Sequence, residues 1–458
     1  MSTNIQKNQI TEGIIWRQLL LFFFPILLGT FFQQLYNTID SVIVGQFVGK
    51  EALAAVGGSS AQIVAFVVGF FTGLSSGASV TIAQFFGAKD SRSANKGLHT
   101  AYAIAAFGGL ILTVSGIILT PFLLEMMNTP ADIVADSAVY LRIYFAGIIF
   151  VLIYNMGSAI LRATGDSKRP LYYLIVCCII NIVLNVLFVI VFHMGVMGVA
   201  VATLIAQAVS AVLVTLKLMR SEGILKLSVK QIRFHGSILK MQLKLGLPTG
   251  FEAILFSITN IAIQSAVNTF GTDTTAAWSA YGKLDAIFWM VSTAFGIAIT
   301  TFVGQNYGAG KMDRVRKSTR VCLLMDFIVS AVLVVFLIAA RFLLFRLFTN
   351  DSHVIEIGCD MLVLITPWYI VYVFIEVIAG ALRGVGNVVV PVAITLLGVC
   401  VLRIAWLAAM LKISPTISAI ILSYPVTWVI TALAFIIYYI YITHKTIAGS
   451  SKKHVPKL

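Results

Sequence analysis

The chain has 458 residues, of which 59% are hydrophobic and 11% charged, against about 25% charged in an ordinary soluble domain. So much apolar surface cannot be hidden in one aqueous core, so a soluble fold is excluded and the fold class is expected to be all-α integral membrane. The net charge of +14 would suit nucleic acid, unless the basic residues report membrane topology instead.

Apolar runs long enough for the roughly 20-residue span requirement lie at about 17–43, 54–84, 98–120, 133–161, 171–192, 196–219, 241–268, 275–304, 319–340, 355–382, 390–411 and 416–443. They predict twelve transmembrane helices. The first run is too long for a signal-peptide core and lacks a small-residue cleavage site, so it is expected to remain as the first helix.

With the N-terminus in the cytoplasm, that side receives Lys7, Arg17, Lys89, Arg92, Lys96, Arg162, Lys168, Arg169, the run from Lys217 to Lys244, Lys311 to Arg320, Arg383 and the tail Lys445 to Lys457. The opposite side keeps only Lys50, Arg142, Arg341, Arg346 and Lys412, beside acids such as Glu125, Asp132, Asp136 and Asp273. This is the positive-inside bias, so the charge reports topology and no nucleic-acid partner is expected. Both termini are placed in the cytoplasm of a bacterial-type inner membrane, with lipid as the surrounding partner. Cys177, Cys178, Cys322, Cys359 and Cys400 lack CxxC spacing and read as small core residues; no cofactor follows from them.

An internal repeat organises the chain. "LRATGDSKRP" at 161–170 and "LRGVGNVVVP" at 382–391 share Leu, Arg, Gly and Pro at an offset of 221, and the same offset pairs "QFFGA" at 84–88 with "QNYGA" at 305–309. Pro25 with Pro248 and Gly49 with Gly271 match at 223 and 222. The expected organisation is an N-terminal six-helix bundle at 1–219, a basic cytoplasmic linker at 220–240, a C-terminal six-helix bundle at 241–443 and a cytoplasmic tail at 444–458. Six is even, so the two bundles are parallel repeats, expected to enclose a central cleft as transporters do.

Charge inside the spans supplies the candidate residues. In "QQLYNTIDSVIVG", residues 33–45, Asp40 is a carboxylate that costs roughly 2.5–3.5 kcal/mol near a bilayer centre and therefore faces a wet cavity or a partner. Gln33, Asn37 and Asp40 follow i, i+4, i+7 spacing and are expected on one stripe. Asn155 and Ser158 share a face of the fourth helix, Asn181 and Asn185 one of the fifth, and these groups must converge inward because lipid offers no hydrogen bonds. The C-terminal half carries Glu252, Lys283, Asp285 and Glu376 in or near its spans. Its acids, with Phe288, Trp289, Trp368 and Tyr369, suit a lipophilic cation, because aromatic faces attract cations by about 0.5–2 kcal/mol.

"P-ILLGTFFQQLYNTIDSVIVGQFVGKEALAAVG", "LRATGDSKRP", "NIVLN", "FVGQNYGAGK" and "LRGVGN" together resemble the multidrug and toxic compound extrusion (MATE) family over nearly the whole chain. The resemblance implies a twelve-helix antiporter, not an enzyme, that expels organic cations and drugs in exchange for Na+ or H+. It also implies an N-terminal cation site at Tyr36, Asp40, Asn155, Ser158, Asn181, Asn185 and Thr203, with Asn37 beside it, and Asp40 as the coupling acid. Many members with this site have Asp where this chain has Asn185, and Asn where it has Ser158. The first departure removes an anionic ligand from any Na+ site at Asp40, which favours proton coupling.

Gln33, Glu252, Asp285 and Glu376 are the candidate substrate contacts, and a monomer is expected. An ATP-driven pump is excluded, since "GQFVGKE" at 45–51 misses the phosphate-loop spacing and ends in Glu. The six histidines are scattered singly, without HExxH, and read as solvated loop residues. A lipid-linked oligosaccharide flippase is the alternative; it would call for a more cationic cavity to hold pyrophosphate.

Overall fold

The computed structural model describes residues 9–450, with side chains described from Ile10 to His444. The tail expected at 444–458 therefore lies almost wholly outside the described residues, as does Lys7. Among the described residues, twelve helices are long and apolar enough to cross a membrane. They are α1 (Ile15–Phe47), α2 (Lys50–Gly87), α3 (Ser91–Met126), α4 (Val134–Ala163), α5 (Lys168–Val191), α6 (Gly195–Met219), α7 (Gly236–Asn268), α8 (Thr272–Gly308), α9 (Met312–Arg346), α10 (Ser352–Gly384), α11 (Val389–Ile413) and α12 (Ile417–His444).

All twelve predicted spans are present, and most run beyond the apolar stretch that announced them. α3 begins seven residues early because Asp90 caps it, accepting a hydrogen bond from the Ser93 N–H at 3.0 Å, which satisfies one of the donors that every helix start leaves open. α2 is interrupted at Gly58, between Lys50–Gly57 and Ser59–Gly87.

The described chain divides into two compact units, Leu21–Ala253 and the residues to Leu20 together with those from Ile254. Each boundary runs through a continuous helix, α1 or α7, rather than through the 220–240 linker expected from the basic run. The reason is local hydrogen bonding at both ends. In the N-terminal unit Asn95 donates to the carbonyls of Ile224 and Lys226 at 3.1 Å each, and Gln242 donates to the Gly97 carbonyl at 3.0 Å. His99, expected to be a solvated loop residue, is instead buried on α3 and accepts the Ser228 N–H at 3.0 Å.

In the C-terminal unit the residues before α1 are clamped by α8 and α9. Arg314 donates to the Ile10 and Gly13 carbonyls at 3.1 and 2.5 Å, and Lys311 to the Thr11 carbonyl at 2.9 Å.

Within each unit the same helices pack on one another. α4 packs on α2, α3 and α6, and α5 on α6; correspondingly α10 packs on α8, α9 and α12, and α11 on α12. The repeat read from ten- and five-residue fragments is thus a repeat of packing. Each unit also carries one π-helical segment in its fifth helix, Val186–Val191 and Leu396–Val401, a geometry that recurs at functional sites.

Glycine determines one crossing in the N-terminal unit. Gly73 and Gly77 on α2 face Gly250 and Gly246 on α7, and Gly69 faces Ala253; a methyl group on Gly246 would stand 2.8 Å from the Leu74 carbonyl oxygen, and one on Gly73 would strike the Gly250 backbone. Small residues at four-residue spacing let two helices approach closely where there is no hydrophobic driving force between them.

Candidate functional sites in the two units

Two helices of the N-terminal unit, α5 and α6, bring donors to Asp40 on α1. Asn185 Nδ2 on α5 donates to Asp40 Oδ1, and Thr203 Oγ1 on α6 approaches Oδ2 at 3.5 Å. Asn185 Nδ2 also reaches Asn181 Oδ1 at 3.2 Å, while Asn181 Nδ2 donates to Thr203 Oγ1 at 3.3 Å. The spacing of Asn181 and Asn185, one helical turn, is what puts both on one face of α5.

All four side chains are buried, Asp40 with 9% of its surface exposed, so the carboxylate is shielded yet not sealed. No arginine or lysine pairs with it among the described ion pairs. Its donors are a neutral amide and a hydroxyl, so the carboxylate is met by hydrogen bonds rather than by an ion pair.

Tyr36 lies one turn before Asp40, is buried, and receives a long contact from Gln207 Nε2 at 3.5 Å. Gln33 and Asn37, expected on Asp40's stripe, are exposed. The helix angle places residues on their own helix but not its neighbours: the buried face of α1 follows Tyr36, Asp40, Ile43 and Val44, because Val189, Val196 and Val199 pack there. Ser158 is buried and Asn155 half-buried on α4, and neither is among the donors to Asp40.

In the C-terminal unit Asp285 on α8 is ringed by aromatic donors. Tyr369 Oη donates to Oδ1, Tyr281 Oη to Oδ1 at 3.3 Å, and Trp289 Nε1 to Oδ2 at 2.7 Å; the two phenols are 2.9 Å apart. Phe288 stacks on Tyr369 with ring centroids 3.9 Å apart, and Trp289, Tyr372 and Trp428 continue the aromatic wall. Arg403, buried on α11, lies over the Tyr424 ring at 4.0 Å and donates to Thr427 Oγ1 at 2.9 Å.

The other expected acids go elsewhere. Glu376 pairs with Arg383 at 3.0 Å, one charged partner for one carboxylate. Glu252 is buried on the part of α7 that belongs to the N-terminal unit. Lys283 is exposed, and its spacing of two residues keeps it off the helix face of Asp285. Trp368 is exposed and outside the wall.

Sequence reasoning passed over Tyr281, Arg403 and Asp326. Tyr281, Asp285 and Trp289 follow i, i+4, i+8 and were legible as one face. Arg403 and Asp326 are charges inside apolar runs, the same sign that singled out Asp40.

The MatE family model matches residues 25–187 and again 248–407, once in each half. The chain belongs to the MATE family. It is 30% identical over 393 residues to the probable multidrug resistance protein YoeA of Bacillus subtilis, covering 84% of both chains. It is 27% identical over 420 residues to the probable multidrug resistance protein NorM of Thermotoga maritima, covering 89% of this chain and 88% of that one.

Among solved structures, a MOP superfamily transporter from Pyrococcus furiosus matches with a TM-score of 0.90 at 20% identity, over 99% of this chain and 100% of that one. An outward-facing multidrug resistance MATE family transporter matches at 0.87 and 21%, over 97% and 99%. The MATE fold and a multi-pass membrane location follow for this chain.

Proposed function

We propose that this MATE protein is a multidrug efflux antiporter of the bacterial inner membrane, with cytoplasmic termini, that expels lipophilic organic cations in exchange for protons by alternating access. The observation that carries the reading is Asp40: a carboxylate in a spanning helix, buried, and met by neutral donors instead of a cation. Such a group can alternate between charged and neutral forms as a proton or a drug comes and goes.

Proton rather than Na+ exchange is supported by the charge of the set: Asp40 is hydrogen-bonded to the neutral side chains of Asn185 and Thr203, and a hard cation is held better where more than one carboxylate is offered. One proton moving down the membrane potential supplies roughly 2.3 kcal/mol per 100 mV, about a fifty-fold concentration ratio. Asp285 and its aromatic wall are the proposed cation-recognition residues of the C-terminal unit, while Glu376, already paired, is assigned no drug contact. The multidrug names of the relatives support the substrate class.

The test is transport of a fluorescent lipophilic cation in proteoliposomes, with pH and Na+ gradients imposed separately. A pH gradient alone should drive dye movement and a Na+ gradient alone should not. Dye movement under Na+ alone would replace the proton, and flipping of a lipid-linked glycan without dye movement would replace the substrate class.

A further inference from the structure

The end of α9 and the starts of α10 and α12, all in the C-terminal unit, enclose a cavity of about 860 Å3 that neither candidate site uses. That volume falls within the roughly 300–1,000 Å3 of ligand pockets. α9 lines it with Arg341, Phe342 and Arg346, and α10 with Glu356, Asp360 and Val363. Ser418 comes from α12. α9 and α10 touch where Gly358 admits the buried Phe345 ring; any side chain on Gly358 would strike it. This contact fixes the spacing of the two helices that carry the charges.

The four charges are two of each sign, and none pairs with another: the ion pairs among the described residues are Arg169–Asp166, Arg316–Asp313 and Arg383–Glu376. Arg341 is held by its own helix, donating to the Ile338 carbonyl at 2.7 Å with its guanidinium over the Phe342 ring at 4.7 Å. A guanidinium has five N–H groups, so most remain for a ligand. Opposite charges that share a cavity without meeting suit a molecule that carries both signs.

The setting narrows that molecule. Phe342, Leu343, Leu347 and Val363 are 43–72% exposed at the membrane end of the same helices, so an apolar surface adjoins the charges. Of the five basic residues on the side opposite the cytoplasm, Lys50, Arg142, Arg341, Arg346 and Lys412, two are gathered in this one cavity. Basic pockets between spanning helices hold lipid headgroups, and Arg binds phosphate through parallel hydrogen bonds. Glu356 and Asp360 accept from a primary ammonium. A quaternary ammonium would seek an aromatic face, and Phe342, the one ring in the lining, is already covered by Arg341. An anionic headgroup would leave both acids unmatched.

We propose that this cavity binds phosphatidylethanolamine, with the phosphate on Arg341 and Arg346, the ammonium on Glu356 and Asp360, and the acyl chains along the exposed apolar residues. With the termini cytoplasmic, as proposed above, the lipid belongs to the outer leaflet. The binding itself rests on the fold and not on the efflux reading.

Native mass spectrometry of the full-length protein tests this, with phosphatidylethanolamine, phosphatidylcholine or phosphatidylglycerol of identical acyl chains added to the micelles. The parent chain should hold one phosphatidylethanolamine with an apparent affinity about tenfold above the other two, the size of one charge-assisted contact. Arg341→Gln combined with Arg346→Gln should remove that preference, and Arg346→Lys should keep it. Glu356→Gln combined with Asp360→Asn should reverse it toward phosphatidylglycerol, because two arginines then face the anionic headgroup alone; a damaged fold cannot produce a reversal.

Phosphatidylcholine or phosphatidylglycerol held as firmly as phosphatidylethanolamine by the parent chain would overturn the proposal. So would an unchanged preference in the doubly neutralised acid variant. Displacement of the lipid by an equal concentration of glycerophosphoethanolamine, which has the headgroup and no acyl chains, would overturn the lipid in favour of a soluble zwitterion. No gradient or drug enters the measurement, so its outcome is separate from that of the transport test.

Discussion

In the N-terminal unit the carboxylate of Asp40 is met by amides and a hydroxyl, whereas in the C-terminal unit that of Asp285 is met by two phenols and an indole. The folds of the two units repeat; the chemistry does not. Amides can turn to offer either N–H or C=O, which suits the change of charge proposed for Asp40. Phenol and indole are donors attached to large flat faces, so the Asp285 ring fixes one carboxylate beside surfaces that attract organic cations. Asp40 stands on the first helix of its bundle and Asp285 on the second, so the two rings are not copies of one another, and the proposed division gives one to the ion and the other to the substrate.

That division is broken most severely by removing each charge in turn. Asp40→Asn should reduce gradient-driven efflux to background while the protein still binds dye. Asp285→Asn should leave coupling to the pH gradient in place and raise the dye's KM about tenfold, the size of losing one charge-assisted cation contact of about 1–2 kcal/mol. Steady-state efflux in proteoliposomes separates the two, and equal losses of coupling in both variants would erase the distinction between the units.

A second carboxylate sharpens the contrast from the other side. Asn185→Asp supplies the anionic ligand this chain lacks, and two carboxylates suit a hard cation better than one. Na+ should then stimulate efflux severalfold in the variant and leave the parent chain unaffected.

Smaller effects come from the donors. Tyr369→Phe strips the half-buried Asp285 carboxylate of a hydrogen bond and should lower stability by about 1–3 kcal/mol. Thr203→Val removes a contact that is already 3.5 Å long, near the limit of a hydrogen bond, and should cost less than about 1 kcal/mol. Thermal unfolding in detergent ranks the pair; the reverse order would mean that the aromatic ring is the looser of the two.

The smallest expected change lies away from both rings. Asp90→Ala removes the cap of α3 and should cost about 1 kcal/mol without altering transport. The Ser93 N–H holds the Asp90 carboxyl below the usual carboxylate range. Its contribution is therefore present above that usual range and lost as the pH falls through the lowered folded value, which unfolding at several acid pH values would follow.

Much of this was legible in the residues, and the reasons for success and failure are specific. The twelve spans were plain because a helix in lipid must be apolar for its whole crossing, whereas the caps and polar first turns that extend them, as at Asp90, carry no such constraint. Asp40, Asn181 and Asn185 could be picked out as polar groups that need one another. Gln33 and Asn37 share the helix with Asp40 but are exposed, because spacing gives an angle about one axis and burial depends on which helix packs there.

Tyr369 could not have been paired with Asp285 from spacing, being 84 residues away. The π segments after Asn185 and Thr395 leave no mark in an apolar run. Arg403 and Asp326 were there to be seen, and the rule that a charge inside a span needs a partner applied to them as fully as to Asp40.

Proton release on drug binding tests the role of Asp40 most directly. The purified protein, in weakly buffered solution near neutral pH with a pH-indicator dye, is mixed with a saturating lipophilic cation. The parent chain should release protons as the drug binds; Asp40→Asn should bind the same drug and release fewer, by the share that belongs to Asp40. Release from Asp40→Asn equal to that of the parent would contradict the assignment of Asp40 as the coupling acid.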